Sequence, residues 1–139
     1  MSVETYQGSC HCGAIRFEAD IDLDAGSNRC NCTYCAKARA WFAFAKGAER
    51  FRLLDGTGVT EFRWTASGET EPHLTYSFCR TCGVRTFARG HHDGLGGTFH
   101  AVHVPTLDLT PEQLAAMPVH YVNGRDGRYD EAPAHPETI

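Results

Sequence analysis

The sequence has no basic excess: 13 lysines and arginines stand against 17 aspartates and glutamates, for a formal net charge of -4. A surface for nucleic acid needs clustered lysine and arginine to neutralise phosphates, so nucleic acid is not an expected partner. Long apolar runs are missing too. The longest, Ala40 to Ala45, falls far short of the about 20 residues that span a bilayer as a helix. No membrane association is expected. Met1 to Gly8 shows neither a basic start nor an apolar stretch, so no secretory signal is expected there. There is no internal repeat, linker or low-complexity tract in the 139 residues. These absences point to a single soluble cytoplasmic domain over 1–139, with its core at about 6–122 and a loosely held tail at about 132–139.

Cysteine is what the chain has in quantity: seven, as Cys10-x-Cys12, Cys30-x-Cys32-x-x-Cys35 and Cys79-x-x-Cys82. An odd number cannot all pair within one chain, and a reducing compartment keeps thiols free. Metal thiolates are therefore expected rather than disulfides.

Around the cysteines the pattern is one of short strands. Ile15 and Phe17 alternate with Arg16 and Glu18, the period of two of a half-buried strand over Ala14 to Ala19. Trp41 to Ala45, Phe51 to Leu54, Val59 to Trp64, His73 to Cys79, Val84 to Ala88, Thr98 to Val104 and Val119 to Val122 read as further strands. Gly90 to Gly97 reads as a glycine-rich loop and Asn123 to Gly127 as a turn. Tyr34 to Arg39 allows one helical turn or two. The clear helix start is Thr110-Pro111-Glu112-Gln113, an N-cap threonine with proline at the first helical position and glutamine at the capping-box position. It should end before Pro118. A mainly β, antiparallel domain with one short C-terminal helix follows.

Structural zinc takes four ligands in a tetrahedron, commonly two close-spaced pairs from distant parts of a chain. The economical assignment joins Cys10, Cys12, Cys79 and Cys82 on one closed site and leaves Cys30, Cys32 and Cys35 for a second zinc with an open position. Three protein ligands and a vacancy are the arrangement of a catalytic zinc. Two alternatives stay open. A zinc-ribbon pairing of Cys32 and Cys35 with Cys79 and Cys82 would leave Cys10, Cys12 and Cys30 without a role. A histidine or carboxylate from elsewhere would instead close the triplet as a second structural site. His11 lies between two proposed ligands and should face solvent or support the ligands without binding the metal, while His73, His100 and His103 fall on expected strands as polar neighbours rather than ligands.

Gly8-Ser9-Cys10-His11-Cys12-Gly13-Ala14-Ile15-Arg16-Phe17, Cys30-Asn31-Cys32-Thr33-Tyr34-Cys35 and Ser77-Phe78-Cys79-Arg80-Thr81-Cys82-Gly83 resemble the glutathione-dependent formaldehyde-activating enzyme family, which also includes centromere protein V. The likeness takes in all seven cysteines in order, over about residues 6–110. It implies a β-tent fold of antiparallel sheets with two zinc ions per chain: a structural one on Cys10, Cys12, Cys79 and Cys82, and a more exposed one on Cys30, Cys32 and Cys35. It also implies a carbon-sulfur lyase that interconverts S-(hydroxymethyl)glutathione with glutathione and formaldehyde. His91 to Gly97 matches no functional element of the family.

Glutathione has two carboxylates, and Arg29, Lys37, Arg39, Arg80 and Arg85 lie near the cysteine groups in sequence. Each is a candidate to hold the peptide, although solvated surface charge is the commoner role. Trp41 and Phe42 are candidate pocket walls, with buried core the commoner role. Beside the lyase stand two other readings: a non-catalytic module that holds a zinc and a thiol, and a structural double-zinc interaction domain.

Overall fold

A computed structural model of the chain describes residues 2–66, 68–71 and 74–139. The strands in order are β1 (Glu4–Ser9), β2 (Arg16–Ile21), β3 (Ser27–Cys30), β4 (Phe42–Lys46) and β5 (Phe51–Asp55). Then come β6 (Val59–Arg63), β7 (Thr75–Cys79), β8 (Arg85–His92), β9 (Gly97–His103) and β10 (Val119–Val122). Helix α1 (Thr33–Ala38) precedes β4 and helix α2 (Pro111–Ala116) precedes β10. A small sheet runs β1-β2-β5 and a large one β10-β3-β4-β9-β8-β7-β6. The fold is thus mainly β as expected, with one departure: β10 joins β3 in parallel, while the other strand pairs are antiparallel.

The alternation read in the sequence becomes the core. In β2 the side chains of Phe17, Ala19 and Ile21 all point inward and are buried. Phe17 stacks on Phe51 of β5, with ring centroids 5.3 Å apart, and meets the edge of Phe87 of β8 at 6.0 Å. These three rings join the two sheets. Because successive strand residues point to opposite faces, β4 sends Ala43 and Ala45 into this core and turns Phe42 and Phe44 to the far side of the large sheet. There, register places Phe44, Ala101, Ala88, Tyr76 and Phe62 in one cross-strand row. The two alanines at its centre are fully buried beneath the aromatic side chains around them.

One local expectation needs revision, one strand was not expected, and one is described only in part. The loop expected over Gly90 to Gly97 is mostly strand: His91 and His92 pair with Thr98 and Gly97, and only Asp93 to Gly96 turns the chain. Ladder hydrogen bonds outweigh the glycine content there. Gly90 is needed inside the strand because a Cβ would overlap the Leu74 side chain. β1, whose polar sequence carries no apolar alternation, is held as a strand by six register pairs with β2. The strand expected from His73 is described from Thr75, His73 itself lying outside the described residues. By contrast α2 begins as read: Gln113 N donates to Thr110 Oγ1 at 3.1 Å and Thr110 N donates to Gln113 Oε1 at 2.9 Å. Near the C-terminus, Arg39 Nη1 donates to the Thr138 carbonyl at 2.7 Å.

His100 faces the core, its ring stacked on Phe51 with centroids 4.0 Å apart and its Nδ1 without a hydrogen-bond partner among the described residues. Burial first, and then the charge of Arg89, lower its pKa to about 4. The unfolded chain takes up this proton near pH 6.5 and the folded chain only near 4, so stability is full above 6.5 and is lost as pH falls between the two. His100→Phe should remove that component. The difference in unfolding free energy between wild type and His100→Phe is expected to shift by about 2–3 kcal/mol from pH 7 to pH 4, and a pH-independent difference in urea titrations would contradict it.

Candidate metal centres

The four-cysteine group is built from two hairpin turns of the same design. Cys10 and Cys12 lie between β1 and β2, while Cys79 and Cys82 lie at the turn from β7 to β8. In each, the first cysteine N–H donates to a carbonyl five residues on, Cys10 to Ile15 at 3.1 Å and Cys79 to Val84 at 3.0 Å. The backbone also aims N–H groups at sulfur: Ile15 N donates to Cys10 Sγ at 3.3 Å and Thr81 N to Cys79 Sγ at 3.4 Å. Such donors favour thiolate over thiol. Cys79 is lowered by the N–H groups of Cys82 and Thr81, and Cys82 is lowered to about 6, first by the N–H of Val84.

The sulfur spacing tests whether a metal fits. Four sulfurs about 2.3 Å from a tetrahedral zinc lie about 3.8 Å apart. Cys10 Sγ and Cys12 Sγ are 3.7 Å apart, and Cys12 Sγ and Cys79 Sγ 3.6 Å. All four sulfurs lie within 4.8 Å of one another. The donor set, its geometry and its N–H surroundings therefore suit zinc.

Cys30, Cys32 and Cys35 gather separately, their sulfurs also within 4.8 Å of one another. Cys32 and Cys35 thus do not meet Cys79 and Cys82, and the zinc-ribbon pairing does not occur. Among the described residues no histidine or carboxylate joins the three. Cys30 ends β3, Cys32 is the N-cap of α1, and Cys35 lies in its first turn. Cys35 N donates to Cys32 Sγ and Cys32 N to Cys30 Sγ, both at 3.4 Å. Without a metal the three sulfurs share charge unequally. Hydrogen bonds from Cys32 and Cys35 hold Cys30 well below an ordinary thiol, and the hydrogen bond to Cys30 pushes Cys32 and Cys35 up. A dication would remove that conflict.

A network from the loop after β10 pins the triplet. Asn31, between two of its cysteines, donates from Nδ2 to Asn123 Oδ1 at 3.0 Å. In return its Oδ1 accepts from Arg125 N at 2.9 Å and its carbonyl accepts from Arg125 Nε at 3.0 Å. Asn123 Nδ2 donates on to Asp126 Oδ2 at 3.0 Å. Gly124 packs directly on the Cys30 sulfur, where any Cβ would overlap it, and its N–H is among the donors that lower Cys30.

The triplet opens on a cavity of about 1330 Å³ on the far face of the large sheet. Phe42, Phe44, Trp64 and Tyr76 line it beside the three sulfurs, and Arg125 and Tyr129 line it from the C-terminal loop. Tyr76 is stacked under Tyr34 of α1 at 3.9 Å. Burial first, and then the charge that Cys35 would carry as a thiolate, raise its phenol and keep it protonated.

The basic residues singled out by nearness in sequence lie elsewhere. Arg29 sits over the Trp41 ring at 4.5 Å, Arg39 holds Thr138, Arg80 Nη2 donates to the Val59 carbonyl, and Arg85 Nε donates to Tyr34 Oη. Neither these four nor Lys37 lines the cavity. Of the expected wall residues, Phe42 is there. Trp41 instead packs against the core and donates from Nε1 to Ser27 Oγ at 2.6 Å. Arg125 was missed because about 90 residues separate it from the triplet, and its Asn-Gly-Arg-Asp-Gly context reads only as a turn.

The sequence profile of the glutathione-dependent formaldehyde-activating enzymes matches residues 5–123. This chain belongs to that family. The matched span holds all seven cysteines, which bears out the resemblance drawn from their motifs. Gly124, Arg125 and Tyr129, which close one side of the triplet, lie beyond it. The fold is also similar to the crystal structure of a Rhodobacter sphaeroides protein, at 26% identity and a TM-score of 0.63 over 82% of this chain and 99% of that one. As a family member the chain has two cysteine clusters that can hold metal ions.

Gly124→Ala should move the Cys30 sulfur and spoil the triplet alone. Metal affinity there is expected to fall at least about tenfold, the usual cost of a disturbed ligand surround, while the four-cysteine group keeps its metal. Competition against a chromophoric chelator separates the two, and equal loss from both groups would contradict the assignment.

Proposed function

We propose that the protein is a zinc-dependent carbon-sulfur lyase acting on a glutathione hemithioacetal, S-(hydroxymethyl)glutathione in the simplest case. What carries the reading is a cluster of three thiols that no fourth ligand joins among the described residues, open to a cavity large enough for a tripeptide. Cys30, Cys32 and Cys35 would hold the catalytic zinc, and Cys10, Cys12, Cys79 and Cys82 a structural one. Zinc held by the triplet would supply Lewis acidity and positive charge that stabilises sulfur in its anionic form. Seven unpaired cysteines fit a reducing compartment such as the cytoplasm.

In the lyase direction the carbon-sulfur bond breaks with its electron pair going to sulfur. The hydroxyl loses its proton as the carbon becomes a carbonyl, and the proton ends on the thiol. The chain's part is chiefly to position the adduct. Arg125, fixed by its two bonds to Asn31, offers a cation to a glutathione carboxylate. The Tyr76 hydroxyl, kept protonated, is a hydrogen-bond donor for the adduct oxygen, and the aromatic wall excludes water.

A second reading, a module that holds the thiol without turning it over, is favoured by the lack of a histidine or carboxylate in the triplet group among the described residues. The zinc-loaded protein should speed equilibration of S-(hydroxymethyl)glutathione with glutathione and formaldehyde beyond buffer alone, as read by NMR exchange. Cys35→Ser should abolish this and release one of two zinc ions per chain with the fold kept. Tight glutathione binding in calorimetry without acceleration would replace the lyase by the binding module, and unfolding of Cys35→Ser would favour a purely structural double-zinc domain.

A further inference from the structure

We infer that the cavity beside the triplet takes the apolar chain of an aldehyde larger than formaldehyde, so that the preferred substrate is the glutathione hemithioacetal of an aldehyde with a hydrocarbon chain of several carbons. This rests on the lyase reading. The reaction is R–CHO plus thiol giving R–CH(OH)–S: the carbon-sulfur bond forms, the thiol proton ends on the former carbonyl oxygen, and nothing is oxidised or reduced.

The wall beside the sulfurs is the observation that carries it. Phe42, Phe44, Trp64, Leu74 and Leu95 all line the cavity and all are half-buried, so each keeps part of its apolar surface open. They form one apolar cluster with Tyr76 and Phe99, built by the strand alternation that sends the matching alanines of β4 into the core instead. Formaldehyde adds one carbon to the thiol and has no use for such a wall. Glutathione itself fits it poorly, since its two carboxylates, ammonium and amides cost free energy on apolar surface unless each is paired. Its charges have other places: Lys46, Arg50, Arg125, His91 and His92 also border the cavity for the carboxylates, and Asp22 and Glu69 for the ammonium. With the peptide held by these, the group left to cover the hydrocarbon wall is the substituent on the aldehyde carbon. At about 1330 Å³ the cavity exceeds the roughly 300–1,000 Å³ usual for small-molecule sites, so both parts have room.

Inert S-alkylglutathiones test the wall apart from the chemistry. On the zinc-loaded full chain, calorimetric affinity is expected to rise about threefold for each methylene from S-methyl- to S-hexylglutathione. Phe44→Ala should lower that increment, and exchange of the hexanal adduct should be accelerated more than that of the formaldehyde adduct. Affinity flat from methyl to hexyl overturns the inference, and the lyase reading then stands if S-(hydroxymethyl)glutathione is still equilibrated faster than in buffer. If neither adduct is accelerated, the lyase reading falls and this substrate assignment with it, whatever the slope.

Discussion

The meeting of two hairpin turns at four sulfurs is the constraint on which the rest of the structure depends. One turn belongs to the small sheet and the other to the large, and 67 residues separate Cys12 from Cys79. Bringing such distant segments together costs chain entropy, and in a domain of this size a metal held by four thiolates is a strong means of offsetting it. Phe17, Phe51 and Phe87 pack the same two sheets against each other. The sulfur group and the aromatic contact therefore restrain the same movement of one sheet relative to the other.

With the frame closed in this way, the triplet is free to be different. It sits toward the other end of the large sheet, between β3 and α1, and is held by side chains and a loop rather than by a second knuckle. Asn31 is the connecting residue: its amide and carbonyl bind the β10 loop while the cysteines on either side turn their sulfurs together. A fully closed site would need a fourth donor, and among the described residues the chain brings none. The result is a cluster whose three sulfurs cannot all ionise comfortably on their own, next to an apolar cavity. Positive charge bound there meets a real electrostatic need.

The large sheet does two jobs through one alternation. Its inward face supplies Ala43, Ala45, Phe87 and Val102 to the core, and its outward face supplies the aromatic wall of the cavity. Small residues inward and large residues outward on β4 invert the usual placement for a sheet facing solvent. That inversion marks the outer face as a surface meant to be covered.

The cysteine spacings made a great deal legible: that metal thiolates rather than disulfides are to be expected and that four and three is the economical division, while the residues around the cysteines carried the resemblance to the family. Short spacings are local, and a Cys-x-x-Cys turn has the same shape wherever it lies. The alternation of β2 and the capping box of α2 were legible for the same reason. β1 and the hairpin through His91 and His92 were not, because their strand character comes from partners in register rather than from their own residues. Nor was the division of arginines, since nearness in sequence to a cysteine says nothing about which side of a sheet a long side chain reaches. Only the tertiary structure decided that Arg125, Gly124 and Tyr129 close the triplet from the C-terminal loop and that Phe44, rather than Trp41, joins Phe42 in opening onto it. The physical reason is that the triplet's surroundings are made by contacts across the whole chain, above all the parallel pairing of β10 with β3, and no local pattern encodes such a contact.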